Sequence, residues 1–410
     1  RQCEPHDYFS PHAFQFLNRS LDGLSLDIKA RGGLLYRFYG KSDEVLEELI
    51  DVEKFDALFI NKDHTPFSRR RDALIKKICQ KRAVAFEEYD DALLCAPGSV
   101  MKEAGGPYAV FTPFYRKASA QPVMLPRRNI HKNFAHRTLK SSFLMAGAPD
   151  IVVNPHLAVH GGRAEALKLF EALGGLGKYA HERDIPALDA TSHLSAHLKF
   201  GTVSPREAFF AVCSKLGKKH PVLQQLYWRD FFYHVAYYYP HVFSGCFYDE
   251  YDAIPWKNNK KLFALWCEGR TGVPIVDAGM RELNATGFMQ NRVRMITASY
   301  LVKDLHIDWR LGERYFATRL VDYDPAVNNG NWQWVASTGC DHQPYFRIFN
   351  PWLQQKRFDP DCTYIKKWVL ELKDVPEQKI FGLGDREAHS DAAAWVKMVF
   401  KEASRRAKNV

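Results

Sequence analysis

Side chains that could do chemistry are concentrated between Asp322 and Pro351, in the sequence DYDPAVNNGNWQWVASTGCDHQPYFRIFNP. This segment combines two carboxylates, an adjacent pair of amides, two tryptophans and a run of small residues. A helix with a purely structural role has no need of that mixture. It indicates a buried site for a large aromatic cofactor, held by polar groups and flanked by an indole.

A second polar group precedes it in the chain. Thr191, Ser192 and Ser195 in TSHLS are predicted to open a helix, where hydroxyls and free backbone N–H groups can bind a phosphate. Ordinary helix capping is the simpler alternative for these hydroxyls. Arg229 lies among apolar and aromatic neighbours in QLYWRDFFYH, and a buried guanidinium needs a phosphate or a carboxylate.

Further polar groups complete a candidate dinucleotide site. Asn291, Arg292 and Arg294 in QNRVRM add donors at one helix end, and Asp322 and Asp324 supply acceptors. Together with the earlier groups, they could bind ribose hydroxyls and a pyrophosphate.

Several other sites are excluded by missing motifs. The chain has no G-x-G-x-x-G, no P-loop and no H-E-x-x-H, so neither a nicotinamide fingerprint nor a hydrolytic metal site is expected. The eight cysteines are scattered, without C-x-x-C or metal-ligand spacing to histidine, and are expected to be reduced core thiols. No apolar run is long enough to span a bilayer. We therefore expect no metal and no membrane association.

The composition is typical of a globular protein. Its charge indicates either a polyanionic partner or simply a basic, solvated surface. The chain has 410 residues, 46% of them hydrophobic, and a formal net charge of +10. This charge favours nucleic acid as the partner about as strongly as it favours a well-solvated basic surface. Nine tryptophans can stack on bases or on a cofactor, although a large helical core also uses many of them.

Periodicity predicts two kinds of domain around these residues. In the first part, helices are predicted at 10–31, 42–52 (with a serine cap) and 68–81, and strands at 34–39, 56–61 and 83–87. This alternation indicates a doubly wound, Rossmann-like parallel sheet. Because the pattern starts on a helix, we expect the sheet to lack its first strands.

The remainder is predicted to be all-helical. Polar, proline-punctuated residues suggest a linker at 121–160, which divides the chain into an α/β domain at 1–120 and a helical domain at 161–410. Helical periodicity is found at 163–173, 205–216, 222–239, 259–267, 273–284, 291–304, 311–320, 329–337 and 388–408.

Long runs of the helical part resemble the DNA photolyase/cryptochrome family, and most closely the class I cyclobutane pyrimidine dimer photolyases. They are QLYWRDFFYH, DYDPAVNNGNWQWVASTGCDHQPYFRIFNP and WCEGRTGVPIVDAGMRELNATGFMQNRVRMITASYLVKDLHIDWRLGERYF. NKDHTPFSRRRD and YAVFTPFYRK extend a weaker likeness through the α/β part. The resemblance implies an FAD-binding helical domain and light-dependent repair of such dimers.

This resemblance assigns roles to individual residues. Asn328 matches the position facing the flavin N5, and Trp332, Trp309 and Trp256 match an electron relay from the flavin to the surface. From spacing alone, each of the three indoles is more simply a core residue. The residues that match flavin contacts are Tyr179, Thr191, Ser192, His193, Leu194, Ser195, Arg229, Asn291, Arg294, Asp322, Tyr323, Asp324 and Asn328.

UV-damaged DNA, single- or double-stranded, is the implied partner, with the dimer flipped into a pocket. The residues that match DNA or lesion contacts are Arg183, Gln225, Trp228, Asn291, Arg292, Met295, Trp334 and Gln354. Gln225 departs from the family, which usually has a glutamate there. Gln290-Asn291-Arg292 stands where the (6-4) branch carries histidines, which argues against (6-4) repair.

Some expectations stay open at this stage. A second antenna chromophore could be a folate, a deazaflavin, a flavin or absent. The alternative function is a cryptochrome-like blue-light photoreceptor without repair activity, against which Trp228, Met295 and Asn328 weigh. We expect a monomer, cytoplasmic and nucleoid-associated if bacterial, or nuclear if eukaryotic.

Overall fold

The computed structural model describes residues 7–127, 129–145, 152–342 and 348–382. In its first part, helices alternate with two short strands. The elements are α1 (Pro11–Lys29), α2 (Ser42–Glu53), β1 (Ala57–Asn61), α3 (Pro66–Lys81), β2 (Ala85–Tyr89) and α4 (Phe111–Ser119).

The two strands form a parallel sheet in which Ala57 pairs with Ala85 and Asn61 with Tyr89. The connection between them runs through α3, as the βαβ pattern predicts. Helices α2 and α3 cover one side of this sheet through a small apolar cluster that includes Ile50, Ile75 and Cys79. The parallel α/β architecture predicted from the sequence is confirmed.

Two local predictions in this part are wrong. Residues 34–39 form no strand of the sheet: Phe38 makes only an isolated bridge to Leu144, and the Tyr39 N–H donates to Phe143 O at 2.9 Å. Tyr36 and Phe38 pack instead in a small cluster with Val45 and Leu49 of α2 and with Leu139. Helix α2 has Lys41 as its N-cap, without a side-chain capping bond, so Ser42 is the first helical residue and not the cap.

Within the described residues of 121–160 there is neither a helix nor a strand. Beyond them, the described structure is helical throughout. The α-helices are α5 (Arg163–Ala172), α6 (Tyr179–Glu182), α7 (Ser195–Phe200), α8 (Pro205–Leu216), α9 (Pro221–Tyr238), α10 (Lys260–Glu268), α11 (Pro274–Thr286), α12 (Asn291–Ser299), α13 (Trp309–Arg319), α14 (Pro325–Ala336), α15 (Pro351–Phe358), α16 (Thr363–Trp368) and α17 (Glu377–Phe381).

Shorter turns connect these helices. Five are 3-10 helices, at Leu173–Lys178, Pro186–Leu188, Pro240–Phe243, Asp249–Ala253 and Leu370–Leu372, and a π-helical turn at Tyr300–Asp304 continues α12. The predicted helix at 388–408 lies outside the described residues.

Aspartate caps set the start of the two helices that matter most for the site. Asp308 accepts the Arg310 N–H at 3.0 Å and starts α13 at Trp309. Asp324 accepts the N–H groups of Ala326 and Val327 and starts α14 at Pro325, four residues before the periodicity indicated. An N-cap acceptor typically stabilises a helix by about 1 kcal/mol.

The largest hydrophobic cluster lies in the helical part and includes Trp266, Met280, Trp309 and Trp332. Helices α9 and α14 pack closely beside it: a Cβ placed on Gly330 would lie 2.1 Å from Phe232 Cδ1. Glycine at this position therefore allows the backbone of α14 to approach α9.

Candidate cofactor and DNA site

Three predicted residues form a row at the start of α14 and along it. Asp324 is the N-cap that precedes the helix, and Asn328 and Trp332, spaced four residues apart, follow one another on one face of it. Asp324 begins this row and is buried, with one oxygen capping the helix and the other accepting the Tyr233 hydroxyl at 2.6 Å. Burial raises the pKa of Tyr233 well above its usual value, which keeps that hydroxyl a donor.

Asp322 and Arg294 form an ion pair beside this row. An Arg294 guanidinium nitrogen lies 3.0 Å from Asp322 Oδ2, and another donates to Met289 O at 2.7 Å. The second oxygen of Asp322, Oδ1, is buried without a hydrogen-bond partner among the described residues. A buried carboxylate oxygen in that condition is costly unless a further donor binds it.

The segment 191–195 departs from the prediction. Helix α7 begins at Ser195 and is only six residues long, and its N-cap is Leu194, which makes no side-chain cap bond. Thr191 and Ser192 therefore precede the helix in a loop, and their hydroxyls are not helix caps. His193 has a left-handed backbone (φ 50°), and its Nε2 lies 2.7 Å from Asp189.

Two side-chain polar atoms of this loop are buried without hydrogen-bond partners among the described residues. They are Thr191 Oγ1 and His193 Nδ1. Leu194 and Tyr179 are buried in one apolar cluster beneath the loop, and the Arg183 guanidinium lies 5.6 Å from the centroid of the Tyr179 ring. The loop thus offers unsatisfied polar atoms on an apolar base.

Arg229 has partners of its own. It donates to the carbonyls of Ala92 and Leu198, and its guanidinium lies 4.8 Å from the Tyr233 ring centroid. The structure therefore joins Arg229 to the α/β part and to α7, rather than leaving a guanidinium that only an anion could satisfy.

Sequence reasoning missed Glu313. Asn328 Nδ2 donates to Glu313 Oε1 at 2.9 Å and to Glu313 O at 3.2 Å. Burial raises the pKa of this carboxyl to about 7, while the Asn328 bond lowers it. An available signal was its position four residues after Trp309, on the buried face of α13. Tyr323, next to Asp322, stacks on Tyr8 with ring centroids 6.1 Å apart.

The three predicted relay tryptophans gather around α13. Trp332 and Trp309 are each 2% exposed. Trp332 contacts α13 edge-on through Phe316, with ring centroids 4.9 Å apart, and a Cβ on Gly312 would lie 2.3 Å from its Cη2 atom. Trp309 lies one turn before Gly312 on the same helix.

Trp256 is partly buried against the same cluster. The residues that follow it are tied to the loop before α13: Lys257 donates through its N–H to His306 O at 2.9 Å, and the Asp308 N–H donates to Asn258 Oδ1 at 2.8 Å. The structure therefore brings Trp256 to the start of the helix that carries Trp309.

Two predicted lesion contacts lie one turn apart on α9. Gln225 and Trp228 are both partly buried. Trp228 stacks flat on Phe111, with ring centroids 3.5 Å apart and an interplanar angle of 8°. Phe111 was not predicted as a site residue, although YAVFTPFYRK was singled out. One face of the Trp228 indole is therefore covered by a residue of the α/β part.

The other residues predicted to contact DNA lie in differing surroundings, some paired with protein groups and some not. Arg292 pairs with Asp184 at 2.8 Å, Asn291 is exposed, and its amide lies 3.7 Å from the Met295 sulfur. Gln290 caps α12 and donates to Arg183 O, which joins α6 to α12. Trp334 packs on the main cluster, and Gln354 Oε1 is buried without a partner among the described residues.

Known protein families match both parts of the chain. The model for "DNA photolyase" matches residues 1–129, and the model for "FAD binding domain of DNA photolyase" matches residues 222–406. The deoxyribodipyrimidine photo-lyase of Escherichia coli K12 is 38% identical over 398 residues, which cover 92% of this chain and 82% of the relative. The chain belongs to the DNA photolyase family.

Particular relatives extend this likeness. The deoxyribodipyrimidine photo-lyase of Neurospora crassa is 37% identical, over 90% of this chain and 66% of its own. An archaeal photolyase structure from Sulfolobus tokodaii with two FAD molecules has a TM-score of 0.83 and 40% identity, covering 98% of this chain and 91% of that one. A class III photolyase from Agrobacterium tumefaciens has a TM-score of 0.87 and 30% identity, covering 97% and 89%.

Two kinds of feature are absent from the described residues. None of their helices combines the length and the apolar character needed to cross a bilayer. They also hold no group of three or more histidine, cysteine, aspartate or glutamate residues placed to bind a metal ion.

Proposed function

We propose that this protein repairs cyclobutane pyrimidine dimers in DNA under blue light, with FAD as its cofactor. The observation that carries the proposal is the row at α14, in which Asp324 caps the helix and Asn328 and Trp332 share one face of it. A cap, an amide and an indole in that order suit a redox cofactor that lies along the helix. The relatives named deoxyribodipyrimidine photo-lyases support the same activity.

The residues present fit a flavin dinucleotide. Asp322 Oδ1, Thr191 Oγ1 and His193 Nδ1 are buried polar atoms without partners among the described residues. Ribose or ribityl hydroxyls could donate to the carboxylate and to the imidazole nitrogen, and the threonine hydroxyl could donate to a phosphate. When bound, FAD supplies an electron donor that light can excite. We propose that the thirteen residues matched to flavin contacts hold it.

Asn328 is proposed to orient its amide toward the reactive edge of the flavin ring. Its Nδ2 is engaged by Glu313, so Oδ1 is the atom left to face the cofactor. Arg294 and Asp322 would hold the sugar and phosphate side. The ion pair between them fixes both side chains before the ligand binds, which lowers the entropy cost of binding.

Trp332, Trp309 and Trp256 are proposed to supply electrons that bring the cofactor to its reduced state. Two of these indoles are almost fully buried and the third is partly exposed, which is the arrangement required for carrying an electron inward from the surface. Repair itself would not consume this electron, because opening the dimer ring involves no net redox change.

For DNA, we propose a pocket lined by Trp228, Trp334, Met295 and Gln225. The indoles would stack on the flipped dimer, and the amide of Gln225 would bond its carbonyl and N3–H edge. Arg183, Asn291, Arg292 and Gln354 would contact the strand. The net charge of +10 provides the sequence-independent affinity for phosphates.

The chain would divide into an α/β domain at 1–120, a linker at 121–160 and a helical domain at 161–410, and act as a monomer. A second chromophore would be a folate, a deazaflavin or a flavin, and the two FAD molecules of the Sulfolobus tokodaii relative favour a flavin.

A direct experiment tests the repair activity. Purified, chemically reduced protein is mixed with UV-irradiated oligothymidylate, and the absorbance of the thymine band is followed in blue light and in the dark. The proposal expects recovery in light only. Flavin binding without recovery would favour the cryptochrome-like photoreceptor and overturn the proposal.

A further inference from the structure

A charged cluster surrounds the middle tryptophan of the proposed relay. The guanidinium of Arg310 lies 4.9 Å from the centroid of the Trp309 ring. It pairs with Asp252 and with Asp308, the latter at 3.3 Å, and one of its nitrogens lies 3.6 Å from Cys246 Sγ. Trp309 itself is 2% exposed, so water screens this cation from the ring only weakly.

The cluster is held in place by the backbone around it. Asp252 also accepts the Cys246 N–H at 2.9 Å. The neighbouring Phe247 N–H donates to Gln333 Oε1 at 2.7 Å, and Gln333 follows Trp332 on α14. Asp308 is fixed as the cap of α13. The position of the guanidinium is therefore set by elements that carry two of the three tryptophans.

We infer that Arg310 tunes the relay by making a positive charge on Trp309 less stable than it would be beside the carboxylates of Asp252 and Asp308 alone. This inference rests on the proposed relay. A guanidinium stacked on a neutral indole is attractive, but a full positive charge on the ring is repelled by the cation. An electron then passes from Trp256 to the oxidised Trp309 more readily: Trp309 is reduced, Trp256 is oxidised, and no proton needs to move.

The Arg310 guanidinium therefore raises the energy of oxidised Trp309, and the Asp252 carboxylate lowers it. Removing the cation should stabilise oxidised Trp309, and removing the carboxylate should destabilise it. Because the Arg310 side chain is 30% exposed, solvent reduces both effects, and we expect changes of several-fold.

The test uses Arg310→Gln and Asp252→Asn in a Trp256→Phe background, where the positive charge comes to rest on Trp309. After a light flash on the flavin-loaded protein, the decay of the tryptophan radical absorption is recorded. We expect the decay to slow several-fold in Arg310→Gln and to quicken in Asp252→Asn. Arg310→Lys keeps the charge and should stay close to the parent.

Flavin-free protein provides a second readout, with Trp256 intact. After one-electron oxidation by azide radicals, mass spectrometry measures the oxidation products at Trp309 relative to Trp256. This ratio should rise in Arg310→Gln and fall in Asp252→Asn. Thermal melting of each variant checks folding, and because the two predicted shifts are opposite, general loosening of the structure cannot produce both.

The outcomes separate the inference from the function on which it rests. If Trp309→Phe leaves photoreduction unchanged, the relay itself is wrong. If Trp309→Phe blocks photoreduction but the two charge variants move in the same direction, or in neither, the tuning role of Arg310 is wrong and the relay stands.

Discussion

The amide of Asn328 donates to the buried carboxyl of Glu313 at 2.9 Å, so the residue predicted to face the flavin is oriented by a group that itself titrates. Burial raises the pKa of Glu313 to about 7. Ionised Glu313 can only accept from Asn328, whereas protonated Glu313 can also donate to it. The orientation of the Asn328 amide should therefore depend on pH.

Glu313→Gln should remove that dependence. In the parent protein, we expect the rate of photoreduction to change with an apparent pKa near 7, because the carboxyl gains its proton there. The glutamine variant keeps an acceptor for Asn328 but has no titrating group, so its profile should be flat between about pH 6 and 8. A parent profile without a step in this range would contradict the coupling.

Asp322→Ala should release the flavin. The substitution removes an oxygen without a protein partner and the ion pair to Arg294. Losing hydrogen bonds to a charged group of this kind weakens binding by about 10- to 100-fold. Flavin absorbance per protein after dialysis measures it, and Asp249→Ala, an exposed acid, is the matched control. Equal retention in both variants would remove Asp322 from the site.

Trp332→Phe should separate photoreduction from repair. The indole nearest to Asn328 on α14 would no longer pass an electron to the cofactor, so light alone should fail to reduce the protein. Chemically reduced protein should still repair dimers, because the relay plays no part in ring opening. Loss of both activities would mean that Trp332 has a different role.

Gln225→Glu should change the affinity for dimer-containing DNA several-fold, because the carboxylate accepts from the dimer N3–H more strongly than the amide oxygen does, but can no longer donate to the dimer carbonyl. The matched control is Gln224→Glu, which changes the charge equally one residue earlier on α9. Gel-shift titration with damaged and undamaged oligonucleotides measures both. If the two variants bind the dimer equally, residue 225 does not contact it.

Lys303 provides a test of stability. It is 1% exposed and donates to Ala336 O and Ser337 Oγ at the end of α14, and burial lowers its pKa from 10.5 to about 7. Between these values the unfolded chain binds the proton and the folded chain does not, so unfolding becomes less favourable as pH rises.

Relative to Lys303→Met, the parent protein's free energy of unfolding should therefore rise from pH 7 towards 10.5, and stay constant below pH 7, where both states are protonated. Denaturant titrations across this range measure the difference. A difference that falls or stays level as pH rises would show that Lys303 keeps its proton in the fold.

Much of this architecture follows from local sequence patterns. The helical periodicity at 205–216 and 222–239 and the βαβ alternation are local signals, and α8, α9 and the parallel sheet confirm them. The loop at 191–195 is different: its hydroxyls resemble a helix cap, but Leu194 takes that position, because its side chain is buried in the cluster below.

Long-range contacts account for what the sequence could not predict. Glu313 on α13 is hydrogen-bonded to Asn328 on α14, and Phe111 on α4 stacks on Trp228 on α9. The spacing of Glu313 from Trp309 and the family-like run around Phe111 do not indicate which residue each side chain contacts. Residues 34–39 have the composition of a strand, but pairing with the sheet depends on neighbours that only the tertiary structure specifies.

Repair of a single defined lesion tests the central claim most directly. Reduced protein is illuminated with an oligonucleotide that carries one cis-syn thymine dimer, and with a second that carries a (6-4) photoproduct at the same position, and the products are separated chromatographically. We predict that the first returns to intact DNA in light and not in the dark, and that the second is unchanged. Flavin photoreduction without any repair of the thymine dimer would contradict the account.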